Sequence, residues 1–160
     1  KKEIIILGSN RMGSIFLRSL DKIKQNILVV DFDPEIIETL KDRKIDCIYG
    51  DISSPEILDR LPIQEARIVI STIPKREESM LVLQKVKSLN KDIFVIVTAE
   101  QVNEALDLYK VGADYVVLPK FISGEKSLNL IKLGLEKNKE KIFKTRRMHI
   151  NYLKNLREFF

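Results

Sequence analysis

The chain has 160 residues, 44% of them apolar and 32% charged, which suffices for one domain with a buried core and is too short for two. That composition excludes a disordered chain, no run approaches the ~20 apolar residues of a bilayer span, and a lone cysteine (Cys47) and lone histidine (His149) exclude an internal disulfide and Cys- or His-cluster metal sites. The net charge of +5 is uneven: residues 1–131 carry 19 basic and 20 acidic side chains, residues 132–160 carry 9 and 3. A reducing, cytosolic setting fits the cysteine usage. Lys1 leads almost at once into a strand-like run, so the chain reads as a piece of a longer polypeptide.

In chain order, short β-rich runs alternate with amphipathic stretches, the pattern of repeated strand and helix units on a parallel sheet. Strands are expected at Glu3 to Leu7, Ile27 to Asp31, Asp46 to Tyr49, Arg67 to Ser71, Ile93 to Thr98 and Tyr115 to Leu118. Helices are expected between them at Arg11 to Ile23, Pro34 to Lys41, Pro55 to Arg60, Arg76 to Leu89 and Glu100 to Lys110. Asp33 before Pro34 and Ser54 before Pro55 are helix-start pairs, Thr98 reads as a helix cap, and Gly112 reads as a helix stop. The runs lack polar alternation, as they should when helices cover both faces. The expected fold is α/β: a doubly wound, six-stranded parallel sheet of Rossmann type over residues 1–121, with a C-terminal helical extension over residues 122–160. In that extension Leu128, Ile131, Leu135, Ile142, Ile150, Leu153, Leu156 and Phe160 form an apolar stripe, interrupted at Lys137 to Lys141. A stripe that outruns its own core needs another surface, and a second copy of the chain is expected to supply it.

The first strand ends in Gly8-Ser9-Asn10-Arg11-Met12-Gly13 and runs into a helix. Gly8 suits a tight turn and Gly13 close helix packing, placing phosphate at the helix N-terminus, while Asn10 stands where the second glycine of a dinucleotide fingerprint is expected. Asp31 closes the second strand 18 residues beyond Gly13, where a carboxylate accepts from ribose hydroxyls and disfavours a 2′-phosphate. Gly50-Asp51 closes the third strand; Asp51 is placed to accept from an adenine amine or to cap a turn, and Ile52 to offer the ring an apolar face. Thr72 and Ile73 follow the fourth strand across the switch point from Gly8, positioned to close over ribose or phosphate. No phosphate-loop lysine motif, zinc-protease motif or nucleophile elbow is present, and one Rossmann unit leaves no room for a substrate domain. The reading is therefore a nucleotide-binding module without catalytic residues. A cofactor domain of an NAD-dependent oxidoreductase is the alternative, and nucleic acid is not an expected partner because the basic tail lacks interleaved stacking aromatics.

With the Gly8 to Gly13 loop, Val30-Asp31-Phe32-Asp33, Tyr49-Gly50-Asp51 with Pro55-Glu56-Ile57-Leu58, and Val111 to Pro119 in hand, the chain resembles the RCK or KTN domains. These are also called TrkA N-terminal domains and regulate potassium channels, potassium uptake systems and cation/proton antiporters. The resemblance covers about Lys2 to Leu135. It implies a homodimer that binds NAD(H) or AMP, ADP or ATP and passes ligand state to a membrane channel or antiporter domain. It also implies a helix after the sixth strand that crosses to the neighbour, a cytoplasmic location at the inner face of the cell membrane, and Phe32 beside Asp31 as part of the ligand site.

Overall fold

Branched apolar runs build the sheet: β1 (Ile4–Leu7), β2 (Ile27–Asp31), β3 (Asp46–Tyr49), β4 (Ile68–Ser71), β5 (Phe94–Thr98) and β6 (Tyr115–Val117). The computed structural model describes residues 1–9, 15 and 26–157. Asn10, Arg11, Met12 and Gly13, the helix expected at Arg11 to Ile23 apart from Ile15, and Phe160 lie outside the described residues. All strand pairs are parallel, in the order β3-β2-β1-β4-β5-β6. That order reverses between β1 and β4, and the crevice above their C-terminal ends is where such sheets bind ligands.

One face of the sheet packs Ile5, Leu7, Leu28, Val30, Val69, Val95 and Val97 into a single core. The helices α2 (Pro55–Arg60), α3 (Arg76–Leu89) and α4 (Val102–Val111) close it with Leu58, with Val82, Leu83 and Val86, and with Ala105 and Leu108. Each such Val, Leu or Ile side chain, fully buried, stabilises the fold by ~1.5–3 kcal/mol. The first described helix, α1 (Pro34–Asp42), buries Ile37 and Leu40.

Local chemistry sets the helix ends. Asp33 Oδ1 accepts the Glu35 N–H at 2.9 Å and Pro34 occupies the first turn, the expected start of α1. Ser54 holds the cap position of α2 but makes no side-chain cap bond; its N–H donates instead to Asp51 O at 3.1 Å. Gly112 stops α4 at φ 115°, donating to Tyr109 O while Ala113 N donates to Leu108 O, both at 3.1 Å. Thr98 corrects an expectation. The cap of α4 is Gln101, and the Thr98 hydroxyl donates to Ser71 O at 2.9 Å, spending itself on the β4–β5 seam because both groups are buried there.

Residues Lys1–Pro119 and Lys120–Phe160 form two compact units. The second consists of α5 (Pro119–Leu135) and α6 (Lys139–Arg157), and neither helix buries a residue. The polar interruption in the stripe is a true break: Lys137 turns left-handed at φ 54°, and Asn138 Oδ1 accepts the Lys141 N–H at 3.0 Å to start α6. Among the described residues no helix is long and apolar enough to cross a membrane.

Candidate functional site

Parallel pairing brings the ends of β1, β2, β3 and β4 to one edge. Val30 O accepts the Gly8 N–H at 2.8 Å, Leu7 O accepts the Thr72 N–H at 3.0 Å, and Asp31 O accepts the Gly50 N–H at 2.9 Å. The chain then leaves β1 through Gly8 at φ 82°, a conformation that costs an L-residue ~1–2 kcal/mol. The Thr72 hydroxyl donates to Gly8 O at 2.9 Å. A Cβ on Gly8 would stand 2.8 Å from Thr72 Oγ1 and 3.0 Å from Ile73 Cγ1. Gly8, Thr72 and Ile73, singled out from the sequence, are thus one contact.

Asp31 is the centre of this edge. It is 4% exposed, and its Oδ2 accepts from the Ser9 N–H at 2.7 Å and the Ser9 hydroxyl at 3.0 Å. Its Oδ1 accepts the Asp33 N–H at 2.9 Å. A carboxylate offers about four acceptor directions, and the bonds to described residues use three of them. The clasp fixes Ser9, which follows Gly8, against the end of β2. Phe32 follows, 63% exposed, an apolar side chain on the same strand end.

The third strand end is mixed. Gly50 is required by packing, since a Cβ there would meet Ile57 Cδ1 at 2.7 Å. Asp51 caps its own turn, Oδ1 accepting the Ser53 N–H at 2.9 Å; that bond, the Ser53 hydroxyl and the Lys75 charge together hold its carboxyl below the usual range. Ile52 departs from expectation. At 2% exposure it belongs to the core, packed inward because the turn directs it under the sheet edge, and it presents no face to a ring.

Lys75 is the residue that sequence reasoning missed. It stands at the cap of α3, directly after Pro74, where its Nζ donates to Glu78 Oε1 at 3.0 Å; this pairing raises its pKa. Its only sequence signal is a cation closing the loop opened by Thr72 and Ile73, which is easily read as surface. Across the loop it is the positive charge acting on Asp51.

The Gly112-Ala113-Asp114 signature has a different role, at the other edge. Asp114 Oδ2 accepts from the Val95 N–H and from Lys87 Nζ, each at 2.7 Å. Burial opposes its charge, but the Lys87 ammonium and the Val95 N–H outweigh it and hold the carboxyl below its ordinary value. This is scaffold, not ligand site.

The family model described as the TrkA-N domain matches residues 4–119, and the chain belongs to that family. Potassium channel protein 1 of Methanocaldococcus jannaschii is 30% identical over 122 residues, covering 75% of this chain and 37% of the relative. The glutathione-regulated potassium-efflux system protein KefC of Klebsiella pneumoniae is 23% identical over 157 residues, covering 96% and 25%. The chain therefore spans well under half the length of these relatives. Among solved structures, the fold matches the TrkA-N domain of the Escherichia coli inner membrane protein ybaL, with TM-score 0.73, 23% identity and coverage of 81% and 96%. It also matches the AMP-bound Kef C-terminal domain of Shewanella denitrificans, with TM-score 0.69, 17% identity and coverage of 97% and 94%. The NAD-bound GsuK channel matches with TM-score 0.62 and 20% identity, over 74% of this chain and 21% of that one.

Proposed function

We propose that the chain is the ligand-sensing regulatory domain of a potassium transport or cation/proton antiport membrane protein. It binds an adenine nucleotide, NAD(H) or AMP, ADP or ATP, at the crevice over β1 and β4, and does no chemistry on it. The observation that carries this reading is the Ser9–Asp31 clasp beside the left-handed Gly8. In this reading the Asp31 carboxylate, which among the described residues accepts three bonds, also accepts a ribose hydroxyl beside the turn by which the chain leaves β1. Phe32 and the Asp51 turn flank the ring side, Thr72 and Ile73 close the far wall, and the Asn10 to Gly13 stretch supplies backbone donors to phosphate. Membership of the TrkA-N family, with relatives named as a potassium channel and a potassium-efflux system, supports the regulatory role over an enzyme.

The domain works at the inner face of the cell membrane as a homodimer, paired through the helical unit. Ligand shifts the balance between two dimer arrangements by its difference in affinity for them. The apolar residues of α5 suit that pairing best: Phe121, Ile122, Leu128, Leu130, Ile131 and Leu135 are all exposed on a helix of low net charge.

Thermal denaturation with NAD, NADH, AMP, ADP and ATP tests the binding. A ligand at ~100 times its dissociation constant adds ~2.7 kcal/mol, about 5–10 °C for a domain of this size. A melting temperature unmoved by all five overturns the nucleotide reading.

A further inference from the structure

The charge that the sequence concentrates at its C-terminal end falls on α6, which holds seven Lys or Arg side chains and one acid, Glu140, over 19 residues. All seven cations are exposed. Only Lys141 among them is in an ion pair with another described residue, Glu136 at 3.0 Å. At 3.6 residues per turn, Ile142, Phe143, Ile150, Leu153 and Leu156 fall within an arc of about 140°, and Lys144, Arg147 and Lys154 run along one flank of it. Lys139, Arg146 and Arg157 lie inside the arc on stems long enough to lift their charged groups out of it, and His149 lies inside it as well. Phe143 at 61% and Leu153 at 48% exposure show that the apolar arc is uncovered.

We infer that α6 is a surface-binding helix that lies on an anionic lipid bilayer, its apolar arc at the acyl boundary and its cations among the headgroups. Two features select lipid over other partners. A second copy of α6 would oppose one strongly positive helix to another, whereas α5 carries three basic residues and one acid and escapes that penalty. Nucleic acid would satisfy the cations and leave the arc of Ile142, Ile150 and Leu153 without a partner. An anionic bilayer takes both, which is the mode of interfacial amphipathic helices. The inference rests on α6 itself and is independent of the nucleotide site.

The test uses the full chain with vesicles of phosphatidylcholine alone or with about a third phosphatidylglycerol, read by co-sedimentation. The chain has no tryptophan, so Tyr152→Trp supplies a single reporter of burial. Retention on anionic vesicles only, a blue-shifted emission, and release in 1 M salt, where the screening length is ~3 Å, are expected. Lys144→Glu with Arg147→Glu and Lys154→Glu should weaken retention at least about a hundredfold, at about fivefold per cation. Ile150→Ser with Leu153→Ser should weaken it with the charge intact. Both variants should keep the parent melting temperature and dimer mass, since no α6 residue is buried. No retention, equal retention on neutral vesicles, or a chain that binds duplex DNA more tightly than anionic vesicles and is indifferent to the serine substitutions would overturn the inference.

Discussion

Replacing Asp31 by alanine removes the acceptor of three hydrogen bonds at once. The losses are unequal. Ser9 is 3% exposed, so its N–H and hydroxyl keep no water and carry the desolvation cost of unmade bonds, about 1–3 kcal/mol for the pair's dominant member. The Asp33 N–H lies nearer solvent and recovers most of its bond from water. A further contribution comes from the lost charge, because hydrogen bonds to an ionised carboxylate are about twice as strong as neutral ones. A total near 3 kcal/mol follows, which lowers the melting temperature by about 6–12 °C in a domain of this length. Asp31→Asn keeps one oxygen and should fall between the variant and the parent. The assay is thermal unfolding followed by circular dichroism, repeated with NAD and AMP at saturating concentration. If Asp31 serves only the scaffold, both variants melt lower and still gain the parent's increment from ligand; if it also holds ribose, the increment itself shrinks for both nucleotides. Melting of Asp31→Ala within ~2 °C of the parent, without ligand, would refute the energetic reasoning.

Gly8→Ala should cost about 2–4 kcal/mol, combining the left-handed penalty with displacement of the Thr72 hydroxyl from Gly8 O, and chemical denaturation reads the loss as a lower midpoint at unchanged slope. Asp114→Asn should destabilise at neutral pH but not in acid. The folded carboxyl sits below its unfolded value, so its contribution is complete above about pH 4 and disappears as pH falls through the folded pKa; parallel melting curves that keep their gap into acid would contradict this. Thr98→Val, which keeps the shape and removes the donor to Ser71 O, should cost about 1 kcal/mol in the same denaturation assay and leave nucleotide binding untouched. Truncation after Leu135 should leave the dimer mass in sedimentation equilibrium, whereas truncation after Pro119 should give monomer.

The sheet was legible because its strands are short β-rich runs bounded by turn residues: β2 and β3 match their expected ends and the other four needed a one-residue correction. Asp31, Asp33, Gly8 and Gly112 were legible for a related reason: each answers a backbone demand at the end of an element. What the sequence hid depends on side-chain direction in loops. Ile52 follows a strand end as a ring platform would, yet the turn of Asp51 and Ser53 sends it inward. Thr98 ends a strand as a cap would, yet α4 starts later and the hydroxyl is spent on β4. Lys75 carries no pattern at all, and only the fold brings its charge to bear on Asp51.

The residues that mark the family therefore divide between two edges of one sheet, and the division makes a functional argument. Gly8, Asp31, Gly50 and Thr72 gather at the C-terminal edge, where the clasp on Ser9 couples the glycine loop directly to the end of β2. Asp114 and Lys87 tie α3 to the starts of β5 and β6 at the opposite edge, whereas α5 follows the C-terminal end of β6 with only Leu118 between them. One proposed route from the crevice to β6, and through it to α5, is α3, which begins at Lys75 beside the crevice and ends in the Lys87 network that holds the start of β6. Coupling of this kind requires a ligand whose affinity differs between two positions of that helix. Lys87→Met, which cuts the network far from the crevice, should then leave nucleotide affinity within about twofold while changing how strongly nucleotide shifts the dimer dissociation constant. An unchanged shift in that variant would mean that α3 is not the route.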